Sequence, residues 1–260
     1  VENFLKQKKQ NTSTPFVEEK LQLKVELGEA LEPLSKMRKL IAENMEKSWR
    51  SIPHVTTFMD VNVTKLVAYR EENKEKFLQE NAVKLTYTHL IMKSVIDAIK
   101  VYPTLNSWFN NEELLEKRNI NLGFAAALPD GNLIVPNIKN AQNLSVVEIA
   151  QQVSEIGTRA KNGKLKPDDI QDTTFTVSNT GMFGSESGTP IISRPQVAVL
   201  ALGNILRKAW IIEENGEEKI LPQSVMTLSL SYDHRIVDGA LASKFLTEIK
   251  KKYGKFLEIL

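Results

Sequence analysis

Chemistry at neutral pH most often passes through imidazole, whose ordinary pKa of about 6.5 lets it take up or release a proton near working pH. This chain has three histidines, His54, His89 and His234. His89 sits in the apolar helical stretch Thr88-His89-Leu90-Ile91-Met92, which predicts a packed, hydrogen-bonded core residue. His54 follows Pro53 at the entrance to a strand, where a structural role is again expected. No two of the three stand at a metal-ligand spacing, which argues against zinc hydrolysis. There is no cysteine, so no disulfide framework, thiolate metal site or cysteine nucleophile is expected.

His234 differs in its company. The β-forming run Met226-Thr227-Leu228-Ser229-Leu230-Ser231-Tyr232 leads into Asp233-His234-Arg235-Ile236-Val237-Asp238-Gly239. Polar and charged groups at the end of a buried strand are costly unless they are used. Asp238 lies four residues past the histidine, and Gly239 permits a turn into a following helix. On these residues alone two readings stand side by side. One is a general base, and the other is a strand-to-helix turn that Asp238 caps.

The elements that must position this heptad follow from periodicity. Leu34, Met37, Leu40, Ile41 and Met45 keep helical spacing, with Ser35 as the expected N-cap. After Pro53 the period becomes two, predicting a strand through Val63. Helices are expected from Thr64, from Thr86 to Pro103, from Ser145 to Asn162 and from Ala240 to Tyr253. Strands are expected at residues 105–109, 121–128, 133–138, 174–179, 196–205 and 224–233, with a turn at Pro129-Asp130-Gly131-Asn132. Interleaved helices and strands place the fold in the α/β class with one large sheet.

Bulk composition narrows the partners. Of 260 residues 42% are hydrophobic and 25% charged, and the net charge of +2 does not favour nucleic acid or acidic lipid as a main partner. Lys6, Lys8 and Lys9 read as part of a solvated linker. No apolar run approaches the ~20 residues a membrane helix needs, and VENFLKQKKQ lacks the core of a secretory signal. A soluble protein is expected, cytoplasmic or, in a eukaryote, of the mitochondrial matrix. Residues 1–6 look like the end of a helix that belongs upstream, 7–30 like a linker or extended arm, and 31–260 like the catalytic domain.

The heptad resembles the DHRxxDG active-site signature of the dihydrolipoamide acyltransferases, the core components of 2-oxo acid dehydrogenase complexes. The resemblance runs from about Pro33 to the C-terminus. MRKLIAENMEKSWRSIPHVT is similar to the family's opening helix and strand, and GFAAALPDGNLIVPNI to its central hairpin, with Asn132 as an extra residue. FTVSNTGMFG followed by TPIISRPQVAVLALGNI is similar to its second active-site block. VENFLK resembles the end of the peripheral subunit-binding domain.

The resemblance implies a chloramphenicol acetyltransferase-like fold, with a large mixed sheet, flanking helices and a homotrimeric building block. Active sites would lie at subunit interfaces, and trimers would assemble into a cubic or dodecahedral core. The implied reaction moves an acyl group between a dihydrolipoyl arm and coenzyme A, with no metal. His234 would be the general base, Ser178 the oxyanion donor and Asp238 the residue that holds the loop, with Arg38 as its candidate ion-pair partner. Coenzyme A would meet Arg70 and Thr86 with its nucleotide and phosphates, and Asn179, Gly203 and Ile205 with its pantetheine arm. The lipoyl domain is not among these residues, so the chain reads as a fragment. The decarboxylase and dihydrolipoyl dehydrogenase components would bind through the upstream domain.

Two alternatives stand beside this reading. An antibiotic O-acetyltransferase of the same fold carries HHxxxDG, whereas this chain has Asp233 at the first position. A non-catalytic core scaffold would be expected to lack His234 or Ser178. The acyl group itself leans towards acetyl or branched-chain over succinyl.

Overall fold

Seven strands join into one mixed sheet in the order β1-β11-β9-β8-β4-β7, with β10 paired to β11 beside that path. They are β1 (His54–Asn62), β4 (Leu122–Phe124), β7 (Asn137–Ile138), β8 (Phe175–Asn179), β9 (Ala198–Leu202), β10 (Leu206–Glu214) and β11 (Glu217–Asp233). Strands β4, β8 and β9 run parallel to one another, while the remaining pairings are antiparallel. Two small ribbons complete the strands: β2 (Ser107–Phe109) with β3 (Leu114–Glu116), and β5 (Ala126–Ala127) with β6 (Leu133–Ile134). This computed structural model describes residues 24, 26, 28, 30–128, 131–214 and 216–254. The segment VENFLK, most of the expected linker, and Pro129 and Asp130 of the expected turn lie outside the described residues. The described residues from Met37 onwards form one compact unit, and those before it are exposed.

Among the described residues five α-helices accompany the sheet: α1 (Lys36–Ser51), α2 (Thr64–Asn81), α3 (Tyr87–Val101), α4 (Val146–Lys161) and α5 (Gly239–Gly254). Helix α3 is the centre of the core. Leu90, Ile91, Met92, Val95, Ile96, Ala98 and Ile99 are all buried, and the helix packs against α2, α4 and α5. Each such Leu or Ile contributes roughly 1.5–3 kcal/mol on burial. Helix α4 starts at a capping box, in which Glu148 N–H donates to Ser145 Oγ at 3.2 Å and Ser145 N–H donates to the Glu148 carboxylate at 2.8 Å.

The α/β class and the large mixed sheet are as expected, but the structure departs from expectation in three respects. In residues 105–109 only Ser107–Phe109 is extended. Pro103 opens a 3-10 turn through Asn106, whose buried amide donates to the carbonyls of Lys117 and Asn119. Residues 121–128 break at Ala125, and 133–138 break before Asn137 because Pro136 has no N–H to offer a ladder. The third difference is the missed strand β10. It forms a long hairpin with β11 in which Ile211 faces Ile220 and Trp210 faces Leu221. Gly216 at the hairpin turn takes φ +80°, the left-handed backbone that favours glycine.

Candidate active site

Strand β11 ends at Asp233 and delivers His234 to the surface. Asp233 N–H donates to the Val197 carbonyl at 2.8 Å, and His234 N–H donates to the Pro53 carbonyl at 3.2 Å. The Asp233 carbonyl then accepts from both Ile236 and Val237, which closes a tight turn. His234 is exposed, with its ring tilted against Tyr232 at 5.9 Å between centroids. Among the described residues its imidazole has no hydrogen-bond partner.

The two neighbours of His234 hold this turn. Asp233 is only 2% exposed, and Arg235 grips its carboxylate with Nε at 2.8 Å and Nη2 at 2.6 Å. A bidentate pair of this kind fixes direction as well as charge. Arg235 also donates to Asn111 Oδ1 at 2.7 Å and lies 4.7 Å over the Phe109 ring. The Asp233 carboxylate holds the Arg235 guanidinium above its usual range. Sequence reasoning assigned no role to this pair, although the charges flanking His234 were in view.

Asp238 caps α5, accepting from Leu241 N–H at 2.7 Å, so the cap is a role it plainly has. Among the described residues no ion pair joins Asp238 to Arg38, which lines a cavity with Ser178.

Ser178 lies on β8 opposite Ala201 of β9, half-buried. It lines a cavity of about 510 Å³ with Arg38, Asn44, Thr176 and Ser193 among apolar walls from Ile41, Met45, Val135 and Ile191. Among the described residues its hydroxyl has no partner, so its hydrogen can point at a developing negative charge. Ala201 in turn faces Ser229 of β11, and His234 comes five positions later. That sets Ser178 and His234 roughly 16 Å apart along the strands and about 10 Å across them. One chain does not bring these two groups together.

Of the five residues expected to meet coenzyme A, three line one cavity. Asn179, Gly203 and Ile205 line a cavity of about 350 Å³ with Tyr87, Thr88, Met182 and Met226. Asn179 Nδ2 donates to Thr88 Oγ1 at 2.9 Å, which ties β8 to the first turn of α3. Thr86 is the N-cap of α3 and accepts from His89 N–H at 3.3 Å. Arg70 lies 5.0 Å over the Tyr87 ring at the same helix end. Gly203 has a backbone reason to be glycine, since an added Cβ would fall 2.0 Å from the Glu186 carbonyl oxygen.

The other histidines are structural in their contacts. His54 Nδ1 faces the Ile52 carbonyl at 2.9 Å, and Nε2 accepts from Ile192 N–H at 3.0 Å, which places the proton on Nδ1. Its ring stacks on Trp49. His89 is 6% exposed, and burial pushes its pKa down to about 4. Among the described residues no three His, Asp or Glu side chains cluster as metal ligands, and no helix is long and apolar enough to cross a membrane.

Comparison with known proteins identifies the family. The model of the 2-oxoacid dehydrogenases acyltransferase catalytic domain matches residues 26–260. The lipoamide acyltransferase component of the branched-chain alpha-keto acid dehydrogenase complex of Bacillus subtilis is 38% identical over 219 residues, 84% of this chain and 51% of the relative. The acetyltransferase component of the pyruvate dehydrogenase complex from the same organism is 39% identical over 228 residues, 87% of this chain and 50% of the relative. The chain thus spans about half the length of these two relatives. Among solved structures, a "probable dihydrolipoamide acetyltransferase" from Listeria monocytogenes superposes with a TM-score of 0.83 at 40% identity, covering 88% of this chain and 95% of that one. The cubic core of a pyruvate dehydrogenase multienzyme complex gives 0.82 at 32% identity, covering 89% and 94%. A chloramphenicol acetyltransferase shares the fold with a TM-score of 0.50 at 14% identity, covering 80% and 92%. With the fold, the polar turn at the end of β11 and the family match in agreement, the chain belongs to the 2-oxoacid dehydrogenase acyltransferase catalytic-domain family.

Proposed function

We propose that this chain transfers an acyl group between a dihydrolipoyl thiol and coenzyme A by direct attack of one thiol on the other's thioester. The observation that carries the reading is the 350 Å³ cavity where Asn179, Gly203 and Ile205 meet beside Tyr87 and Thr88. Its partly apolar lining suits a pantetheine arm, and Arg70 and Thr86 stand by Tyr87 at the start of α3, where phosphates need donors. The thiol is a weak nucleophile until its proton leaves. His234 accepts that proton as the sulfur attacks the carbonyl carbon, and the Ser178 hydroxyl donates to the oxygen that becomes negative. Collapse of the tetrahedral species expels the other sulfur, which takes the proton back from His234. No covalent bond to the protein forms, in keeping with a chain that has no cysteine.

The distance between Ser178 and His234 within one chain supports a site shared by two copies, with Ser178 of one and His234 of the next facing the same substrate. A cyclic trimer satisfies this arrangement three times over. Larger cubic or dodecahedral assembly, recruitment of the decarboxylase and dihydrolipoyl dehydrogenase, delivery of the acyl group by a lipoyl domain and a cytoplasmic or matrix location belong to the same proposal. Initial rates with free dihydrolipoamide and acetyl-, isobutyryl-, isovaleryl- or succinyl-CoA test it. Formation of S-acyl-dihydrolipoamide with free coenzyme A from at least one of them is expected, and none with any of the four would defeat it.

A further inference from the structure

Three donors from two helices close on a single carboxylate, and one of them, Tyr87, also lines the cavity proposed for pantetheine. Arg70 Nη1, Lys74 Nζ at 2.6 Å and the Tyr87 hydroxyl at 3.1 Å all donate to Glu71. Arg70 is steadied from behind, with Nε donating to the Leu85 carbonyl at 3.2 Å and its plane over Tyr87. Tyr87 belongs to both features, since its ring lines the cavity that ends at Asn179 and Gly203.

Two cations and a hydroxyl facing one oxyanion make a phosphate-binding arrangement that here holds a carboxylate. The three donors push the Glu71 pKa down to about 2, so the group stays ionised throughout the neutral range. Glu71 is exposed on the surface of α2, and it can swing into water without leaving a buried charge behind. Exposed pairs of this kind add little to stability. The cluster therefore matters chiefly for what competes with Glu71.

We propose that Arg70, Lys74 and Tyr87 form a phosphate subsite for coenzyme A and that Glu71 occupies this subsite until a phosphate displaces it. The inference rests on the reading of Arg70 as a nucleotide contact, and it adds Lys74, Tyr87 and a built-in competitor. Glu71 lowers the affinity for coenzyme A and leaves ligands without phosphate unaffected. Pantetheine, which fills the cavity alone, does not need the carboxylate to move.

The test is calorimetric titration of the whole chain with coenzyme A and, separately, with pantetheine, for the parent protein and for Glu71→Gln, Arg70→Ala and Lys74→Ala. Glu71→Gln should tighten coenzyme A about three- to tenfold at low salt and leave pantetheine unchanged. The gain should shrink as salt screens the charges. Arg70→Ala and Lys74→Ala should each weaken coenzyme A and spare pantetheine. If Arg70→Ala weakens binding but Glu71→Gln weakens it too or changes nothing, Glu71 is no competitor and the proposal fails alone. If neither Arg70→Ala nor Lys74→Ala alters coenzyme A binding, the nucleotide lies elsewhere, and the reading of Arg70 fails with it.

Discussion

Ser178 and His234 stand at opposite ends of strands that are two apart in the sheet, with Ala201 and Ser229 as the register between them. Neither side chain has a hydrogen-bond partner among the described residues of its own chain. In the proposed reaction the two groups therefore meet one substrate across a boundary between copies.

Replacing His234 with Ala removes the proton acceptor and leaves the cavity at Asn179 and Gly203 intact. Turnover should fall by about two to four orders of magnitude, with little change in KM for coenzyme A. Steady-state kinetics on a folded variant checks both halves. Near-normal turnover would take His234 out of the base role.

Ser178→Ala should lower kcat and kcat/KM by similar factors, on the order of 10²–10³ for one lost oxyanion donor. A serine hydroxyl does not titrate in the working range, so the loss should be even across pH. A loss confined to one part of the pH range, or a loss in KM alone, would contradict the oxyanion role.

His89 couples stability to pH. Its folded pKa of about 4 lies below the ordinary 6.5 of the unfolded chain, because burial disfavours the imidazolium. The unfolded state therefore binds the proton first on acidification. The stability this residue contributes is fully present above pH about 6.5 and is lost between there and about 4. The loss is on the order of 3 kcal/mol. Thermal melts of the parent and His89→Gln across this range should show the parent falling more steeply. Parallel slopes would contradict the assignment.

How far the sequence speaks depends on the kind of signal each residue leaves. The turn of His234 and Asp238 was legible because polar groups at the end of a β-forming run demand an explanation. The cap at Asp238 was one of two readings open at that stage, and its carboxylate does meet Leu241 N–H. Ser178 left no such mark, since a hydroxyl at a strand end has no periodicity, and only the family resemblance picked it out. The clamp of Arg235 on Asp233 depends on Asn111 and Phe109, more than a hundred residues away in sequence, and local patterns do not reveal such partners. The β10–β11 hairpin is a different case. Asn215-Gly216 between Ile-rich runs is a strong turn signal, and it was there to be used. The separation of Ser178 from His234 emerges only from strand register, which no one-dimensional pattern contains.

The shared site is the centre of the account, and co-expression of His234→Ala and Ser178→Ala chains tests it most directly. Each variant alone should be almost inactive. In randomly mixed cyclic oligomers about one site in four pairs an intact Ser178 with an intact His234 from the neighbouring chain. The mixture should therefore recover about a quarter of parental turnover per site. Activity no higher than that of the two variants alone, in oligomers shown to contain both chains, would place the two groups in one chain's own site and contradict the account.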